Sequence, residues 1–464
     1  MHTLKQYVYM FAGLIACFIG SVQAAEAKDC QVFNKEKRNS RSMLQPNIII
    51  IIAESHRAGA LGVMGNTIVK TPNLDKLVSK GIAFTHAYVT TAICAVSRAS
   101  ILTGQYQQRH KINSFVTDFT EAALNQTYPL LLKKAGYTIG WIGKVGIGDN
   151  PPDSCFDYWQ AVIPLQLNGV HNTDLVQEKV FEFLNRYRND RFCLTINFYA
   201  AHEIDGTPAS YMVQERYKDL YAGISITAPE TADPKYWNSF PDFFRTDQNI
   251  ARERWYGFFS TKELLQENTR NYYRLLTGVD ATVGSVVKKL KRLGIADNTV
   301  IIYTSDHGFS LGEHGLMGKW YGFEESIRVP LIIYDPRSPE FKKGKIDQMA
   351  LNIDIAPIVL GKAGIAVPAA MQGTDLIAAV MQNKPGREQF FYSHMVFSAP
   401  RLPKVAGVVT SNFKYMKYIE YGYEELYDTQ RDPKETINLA KAASYRDKLN
   451  EMRELYERER SAIE

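Results

Sequence analysis

The sequence predicts an α/β fold with a large, mostly parallel central sheet, and three observations carry that prediction. The first is Asn47 to Ile52, five isoleucines after one asparagine with no polar alternation, as in a strand covered on both faces. The second is the recurrence of such runs at Thr138 to Ile142, Cys193 to Tyr199, Val300 to Thr304 and Val329 to Tyr334. The third is helical periodicity between them, at Asn73 to Lys80, Thr173 to Arg188 and Tyr272 to Leu293. Parallel neighbours need a crossover connection, so strands alternating with helices point to a parallel sheet. In such sheets catalytic groups collect beyond the carboxyl ends of the strands.

Composition agrees. The chain has 464 residues, of which 45% are apolar and 22% charged, enough to bury a large core and excluding both a disordered chain and a membrane bundle. The formal charge of +5 is a mild excess, without the basic stripe or motif that a nucleic-acid partner requires. Lys5 precedes the apolar run VYMFAGLIACFIG, and Val22-Gln23-Ala24 offers a small-residue cleavage site. This reads as a signal peptide over residues 1–24, too short to span a membrane, and places the chain in the periplasm or outside the cell. Leu14-Ile15-Ala16-Cys17 loosely resembles a lipoprotein box, but Phe18 and Ile19 continue the apolar run, which favours cleavage near Ala24 over anchoring at Cys17. Residues 25–45 are a polar, flexible lead-in. The cysteines left, Cys30, Cys94, Cys155 and Cys193, form no CxxC and no disulfide scaffold.

The catalytic α/β domain is expected over residues 46–375 and a smaller α+β subdomain over 376–464. Within the first, Asp205 through Arg252 carries Pro208, Pro229, Pro234 and Pro241 among many aromatics, an irregular excursion suited to shaping a cleft. In the second, Phe413 to Tyr423 alternates as a strand and Tyr445 to Glu464 is a charged helix. Two strand ends carry acids: Ala53-Glu54-Ser55-His56-Arg57 and Asp306-His307-Gly308. The bare pattern admits two readings, a metal site assembled from both ends or the ordinary polarity of loops.

Cys94-Ala95-Val96-Ser97-Arg98 followed by Thr103-Gly104 resembles the signature of the formylglycine-dependent sulfatases, of the alkaline-phosphatase-like superfamily. Further blocks follow in that family's order. They include Lys70-Thr71-Pro72-Asn73, Gly143-Lys144, Thr304-Ser305-Asp306-His307-Gly308, Gly318-Lys319-Trp320 and Glu425-Leu426-Tyr427-Asp428. The resemblance implies an alkaline-phosphatase-like sandwich that hydrolyses sulfate esters, on a sulfated carbohydrate in the leading reading. It implies that a maturation enzyme converts Cys94 to formylglycine, whose aldehyde hydrate attacks sulfur through one hydroxyl while the other later expels sulfate. Arg98 would hold the hydrate, Lys144 and Lys319 the sulfate oxygens, and His202 would protonate the leaving alcohol. Asp205 is a substrate-contact candidate by its nearness to His202. The metal would be Ca²⁺, held by Glu54, Ser55, Cys94, Asp306 and His307.

The chain departs from the family pattern in three places. Glu54-Ser55 stands where two aspartates are usual, which removes a carboxylate from the calcium set. Val145-Gly146 replaces Trp-His after Lys144, so a histidine expected against the formylglycine is missing. Val96 stands where the maturation motif has proline or alanine. These changes keep two other readings open: a non-catalytic binder of sulfated glycans, and a phosphoester or phosphonate hydrolase on the same fold. His86, His110 and His171 lie outside the family blocks and are assigned no role.

Overall fold

The computed structural model of the chain describes residues 45–161, 163–205, 210–338 and 343–464. The expected signal peptide, with Cys17, and the expected lead-in up to residue 44 lie outside the described residues.

Eight strands build the main sheet: β1 (Asn47–Ala53), β2 (Ile82–Tyr88), β3 (Thr138–Gly143), β4 (Tyr158–Gln160), β5 (Phe192–Asn197), β6 (Thr299–Ser305), β7 (Leu331–Tyr334) and β8 (Gly344–Leu351). Their order is β8-β2-β7-β6-β1-β5-β3-β4, and only β7 runs antiparallel to its neighbours. The main helices are α1 (Pro72–Lys80), α2 (Cys94–Thr103), α3 (Asn172–Tyr187), α4 (Lys262–Arg292) and α5 (Ile355–Lys362). All of β1 is buried, and its alternate residues enter different cores. Ile48, Ile50 and Ile52 pack with α2 and α5; Ile49, Ile51 and Ala53 pack with α1, α3 and α4. Each such isoleucine contributes about 1.5–3 kcal/mol. An unbroken apolar strand is therefore what a sheet with helices on both faces demands.

Three strands of the main sheet escape the sequence reading. β2 (IAFTHAY) is interrupted by Thr85 and His86, β4 has three residues, and β8 is an edge strand whose weak alternation breaks between Ile346 and Met349, where its register shifts. Helix α4 begins ten residues before Tyr272: Thr261 caps it, its side chain accepting from the Leu264 N–H at 3.2 Å, and its first turns are too polar to show a face.

Beyond the main sheet, β9 (Gln389–His394), β10 (Val405–Thr410), β11 (Phe413–Tyr418) and β12 (Tyr423–Asp428) form an antiparallel meander. Helix α6 (Arg446–Ile463) covers it through Leu449, Met452 and Leu455. The segment Phe413 to Tyr423, read from sequence as one strand, is β11 and the turn into β12; Gly422 sits in that turn at φ +57°. Lys414 of β11 ties this sheet to the main α/β body, its buried ammonium 2.9 Å from Glu324 and also paired with Glu435.

The sheet register decides where the chemistry lies. Ala53 is paired with Ser305, so the chains leaving β1 and β6 emerge side by side. β3 ends on Gly143 at φ +89°, where a Cβ would sit 1.8 Å from the Asn197 carbonyl oxygen. Only glycine fits that approach, and it brings Lys144 beside the end of β5.

Candidate active site

Four strand ends and one helix converge here. Glu54 follows β1, Asp306 and His307 follow β6, Lys144 follows β3, and His202 lies in the loop after β5. Cys94 opens α2, a helix whose ten residues are all buried and which closes on Gly104 in the left-handed conformation. Lys319 follows the small hairpin of Ser310–Leu311 with Met317–Gly318.

The Cys94 thiol is the centre of the group. Sγ lies 2.9 Å from Glu54 Oε1, 3.2 Å from Lys319 Nζ and 3.3 Å from His307 Nε2. Burial and Glu54 push the thiol up, yet Lys144, Lys319 and His307 hold it below the ordinary cysteine range. At the α2 N-terminus the helix dipole adds positive potential. Arg98, one turn along α2 and wholly buried, donates to Glu54 Oε2 at 2.8 Å, Asp306 Oδ2 at 3.1 Å, Asn197 Oδ1 at 2.7 Å and the Lys144 carbonyl at 3.1 Å. Lys144 Nζ lies 3.0 Å from Glu54 Oε2. Burial opposes ionisation of Glu54, but Lys144, Arg98, His307 and Lys319 together hold it well below the usual carboxylate range. Arg98, Lys144 and Lys319 thus outnumber Glu54 and Asp306, which leaves a net positive pocket fit for an anion.

A cleft of about 630 Å³ opens above this group, with Cys94, Lys144, His202 and Lys319 among its lining residues. His202 Nδ1 donates to the Glu203 carbonyl oxygen, which fixes the tautomer and leaves Nε2 as the ring atom that exchanges a proton. Burial holds its pKa below the ordinary histidine range, against the opposing pull of Glu203. Glu203 is buried and paired with Arg254, which also donates to Asp205 Oδ1 at 2.8 Å. Asp205 lines the same cleft.

Glu54, Cys94, Asp306 and His307 each bring a ligand atom within 4.8 Å of the others, so the two acid-bearing strand ends do assemble one cluster. His307 Nδ1 is bonded to the Gly308 carbonyl at 2.8 Å, which turns Nε2 toward the cluster. Ser55 joins through its backbone, donating to Asp306 Oδ1 at 3.2 Å; its buried hydroxyl has no hydrogen-bond partner among the described residues. Two carboxylates and one imidazole beside the Cys94 side chain fit a divalent cation of mixed oxygen and nitrogen coordination.

The departures take on physical meaning. Gly146, at φ +69°, sits with its missing Cβ position 3.6 Å from the Lys144 side chain and 3.8 Å from that of Arg98, beside the cluster. An imidazole does touch Cys94, but it comes from His307 at the other strand end. Val96 is fully buried and packs into the core. The histidines left without a role have ordinary partners: His86 with Asp347, His110 with Ser100, and His171 capping α3. Cys193 is a buried free thiol, and Cys155 is disulfide-bonded. Arg254 closes the stretch from Asp205 that sequence reading expected to decide the substrate, while Asn197, Glu203 and Arg401, an arginine lining the cleft, were missed. Of these only Glu203 had a signal, its place beside His202.

Fold and site together define a hydrolase of the alkaline-phosphatase-like class with an anion pocket around a buried cysteine. Residues 46–365 match the family model described as Sulfatase, and residues 312–462 match N-sulphoglucosamine sulphohydrolase, C-terminal. The chain belongs to the sulfatase family and is a sulfuric ester hydrolase. An N-acetylglucosamine-6-O-sulfatase of Bacteroides thetaiotaomicron is 27% identical over 91% of this chain and 87% of its own. An arylsulfatase of Clostridium perfringens is 26% identical over 89% of this chain and 94% of its own. A solved structure in complex with its substrate, D-glucosamine-2-N,6-O-disulfate, is similar with a TM-score of 0.77 at 26% identity, covering 90% of this chain and 98% of that one. A phosphonate monoester hydrolase of Agrobacterium radiobacter shares the fold, with a TM-score of 0.76 at 22% identity over 90% of this chain and 96% of that one.

Proposed function

We propose that the protein hydrolyses sulfate esters on a carbohydrate, in the periplasm or outside the cell, with formylglycine made from Cys94 by a maturation enzyme as its nucleophile. The observation that carries this is Cys94 on the floor of the cleft, within 3.3 Å of Glu54, Lys319 and His307. The names of the relatives, several of them sulfatases of sugars, support the substrate class. The disulfide at Cys155 and the apolar run near the N-terminus support an oxidising compartment. Among the described residues no helix is long and apolar enough to cross a membrane.

In this reading Lys144 and Lys319 bind the sulfate oxygens as point charges and align sulfur with the side chain at position 94. Arg98 holds Glu54 and Asp306 in register with α2. His202 delivers a proton from Nε2 to the departing alcohol oxygen. Calcium, held by Glu54, Asp306, His307 and the modified residue 94, would supply positive charge for the sulfate and the nucleophile. Sulfate released from a panel of sulfated sugars, together with mass spectrometry of the Cys94 peptide from native-host protein, tests the whole reading. An unmodified thiol in folded protein that still binds sulfated glycans would move the assignment to a non-catalytic binder.

His202→Ala is expected to lower kcat about 10²- to 10⁴-fold for a sugar sulfate and far less for an activated aryl sulfate, whose leaving group needs no proton. The acid must be protonated to act and its pKa is held low, so the wild-type kcat/KM for a sugar sulfate should fall as pH rises above that pKa. A pH–rate profile with both substrates checks this; equal losses on both would remove His202 from the acid role. For the metal, calcium is expected to raise the melting temperature. Glu54→Gln should weaken calorimetric calcium affinity about tenfold or more, since it removes one of two carboxylates. A melting temperature indifferent to calcium would rule out that ion here.

A further inference from the structure

Four cations line the cleft: Lys144, Arg254, Lys319 and Arg401. The first three are engaged, Lys144 and Lys319 by Glu54, and Arg254 by Glu203 and Asp205. Arg401 is exposed and pairs with no carboxylate among the described residues. It also lines an adjoining cavity of about 220 Å³ that shares Asp205, Ile250 and Arg254 with the cleft. The substrate space therefore continues past the sulfate pocket, and Arg401 stands where the two parts meet. Its loop is held firmly. The Glu420 carboxylate accepts from the Ala399 N–H at 3.0 Å and the Lys404 N–H at 2.6 Å, and the Arg401 carbonyl accepts from the Ile250 N–H at 3.1 Å. Across the cleft mouth, Phe115 and Phe397 remain 42% and 37% exposed with ring centroids 6.5 Å apart, an apolar platform of the size of a sugar face.

We propose that Arg401 is a specificity-determining residue that binds a second anionic group, a sulfate or a carboxylate, on a carbohydrate whose scissile sulfate lies over Cys94. The inference rests on the carbohydrate reading above. A guanidinium with no acid partner, on a braced loop, keeps its paired donors for a planar or tetrahedral oxyanion. Glu203 and Asp205, which line the adjoining cavity with it, are paired with Arg254. Glu253, exposed in the adjoining cavity, is left to accept sugar hydroxyls.

The test compares kcat/KM for a singly sulfated sugar, a disulfated sugar, and a sulfated disaccharide carrying a uronate, in wild type, Arg401→Ala and Arg401→Lys. Wild type is expected to prefer a substrate with a second anion, and Arg401→Ala to cut that preference about 10- to 100-fold, chiefly through KM. Arg401→Lys should retain part of it. A loss confined to the disulfated sugar names sulfate as the second anion, and one confined to the uronate names carboxylate. A wild type that cleaves sulfated sugars with a preference unchanged in Arg401→Ala overturns the inference alone. A wild type that cleaves an aryl sulfate but no sulfated sugar overturns the carbohydrate reading with it.

Discussion

Replacing Cys94 with alanine is expected to abolish steady-state sulfate release, by roughly 10⁵-fold or more, because the nucleophile acts as one unit with the groups around it. The fold should survive. Cys94 is a small side chain at the start of α2, and the cations near it keep Glu54 as a partner: Lys144 at 3.0 Å and Lys319 at 3.8 Å. Cys94→Ser is the more informative variant. Its hydroxyl can accept a sulfuryl group, but the resulting ester has no second hydroxyl to expel sulfate. Stopped-flow with an aryl sulfate should therefore show at most one turnover. Sustained turnover by either variant would place the nucleophile elsewhere.

Arg98→Ala is expected to destabilise the fold by about 3–5 kcal/mol, since it leaves buried carboxylates without their partner. The two acids do not suffer equally. Glu54 keeps Lys144 and Lys319, whereas Asp306 keeps only the Ser55 N–H at 3.2 Å and His307 at 3.6 Å. Asp306→Asn placed on Arg98→Ala should therefore recover part of the loss. Chemical denaturation of the four proteins of that cycle gives the coupling directly, and strict additivity would mean the pair is not a unit. Arg98→Lys restores the charge but cannot reach Glu54, Asp306, Asn197 and the Lys144 carbonyl at once, so it should fall between the two.

Much of this was legible in the residues, for physical reasons. The isoleucines of β1 announce a strand buried on both faces, because the run is short, β-branched and without polar alternation. The acids at Glu54 and Asp306 were visible as strand ends, but their meeting was not, because adjacency of β1 and β6 is a property of sheet order that no local window contains. The same limit hid Asn197 and Arg401, which reach the site from a strand end and the C-terminal subdomain. β8 was missed because an edge strand alternates weakly, and the turn before β12 was missed because alternation runs straight through it. His307 was read as a member of the metal set; that its imidazole also lies against Cys94, from a different strand end than Gly146, is a property of the fold that no local window contains.

The complete burial of α2 sets a clock on the making of this protein. An enzyme that reads Cys94 together with Val96 and Arg98 needs the segment as an open strand of peptide, yet in the finished molecule Val96 and Arg98 are 0% exposed and the helix is enclosed by the sheet and α5. If Cys94 is modified as proposed, modification and closure compete, and closure of α2 ends the competition. On the reading proposed for Cys94, molecules that close first would stay unmodified, and specific activity would then report the order of modification and folding as well as the fold itself.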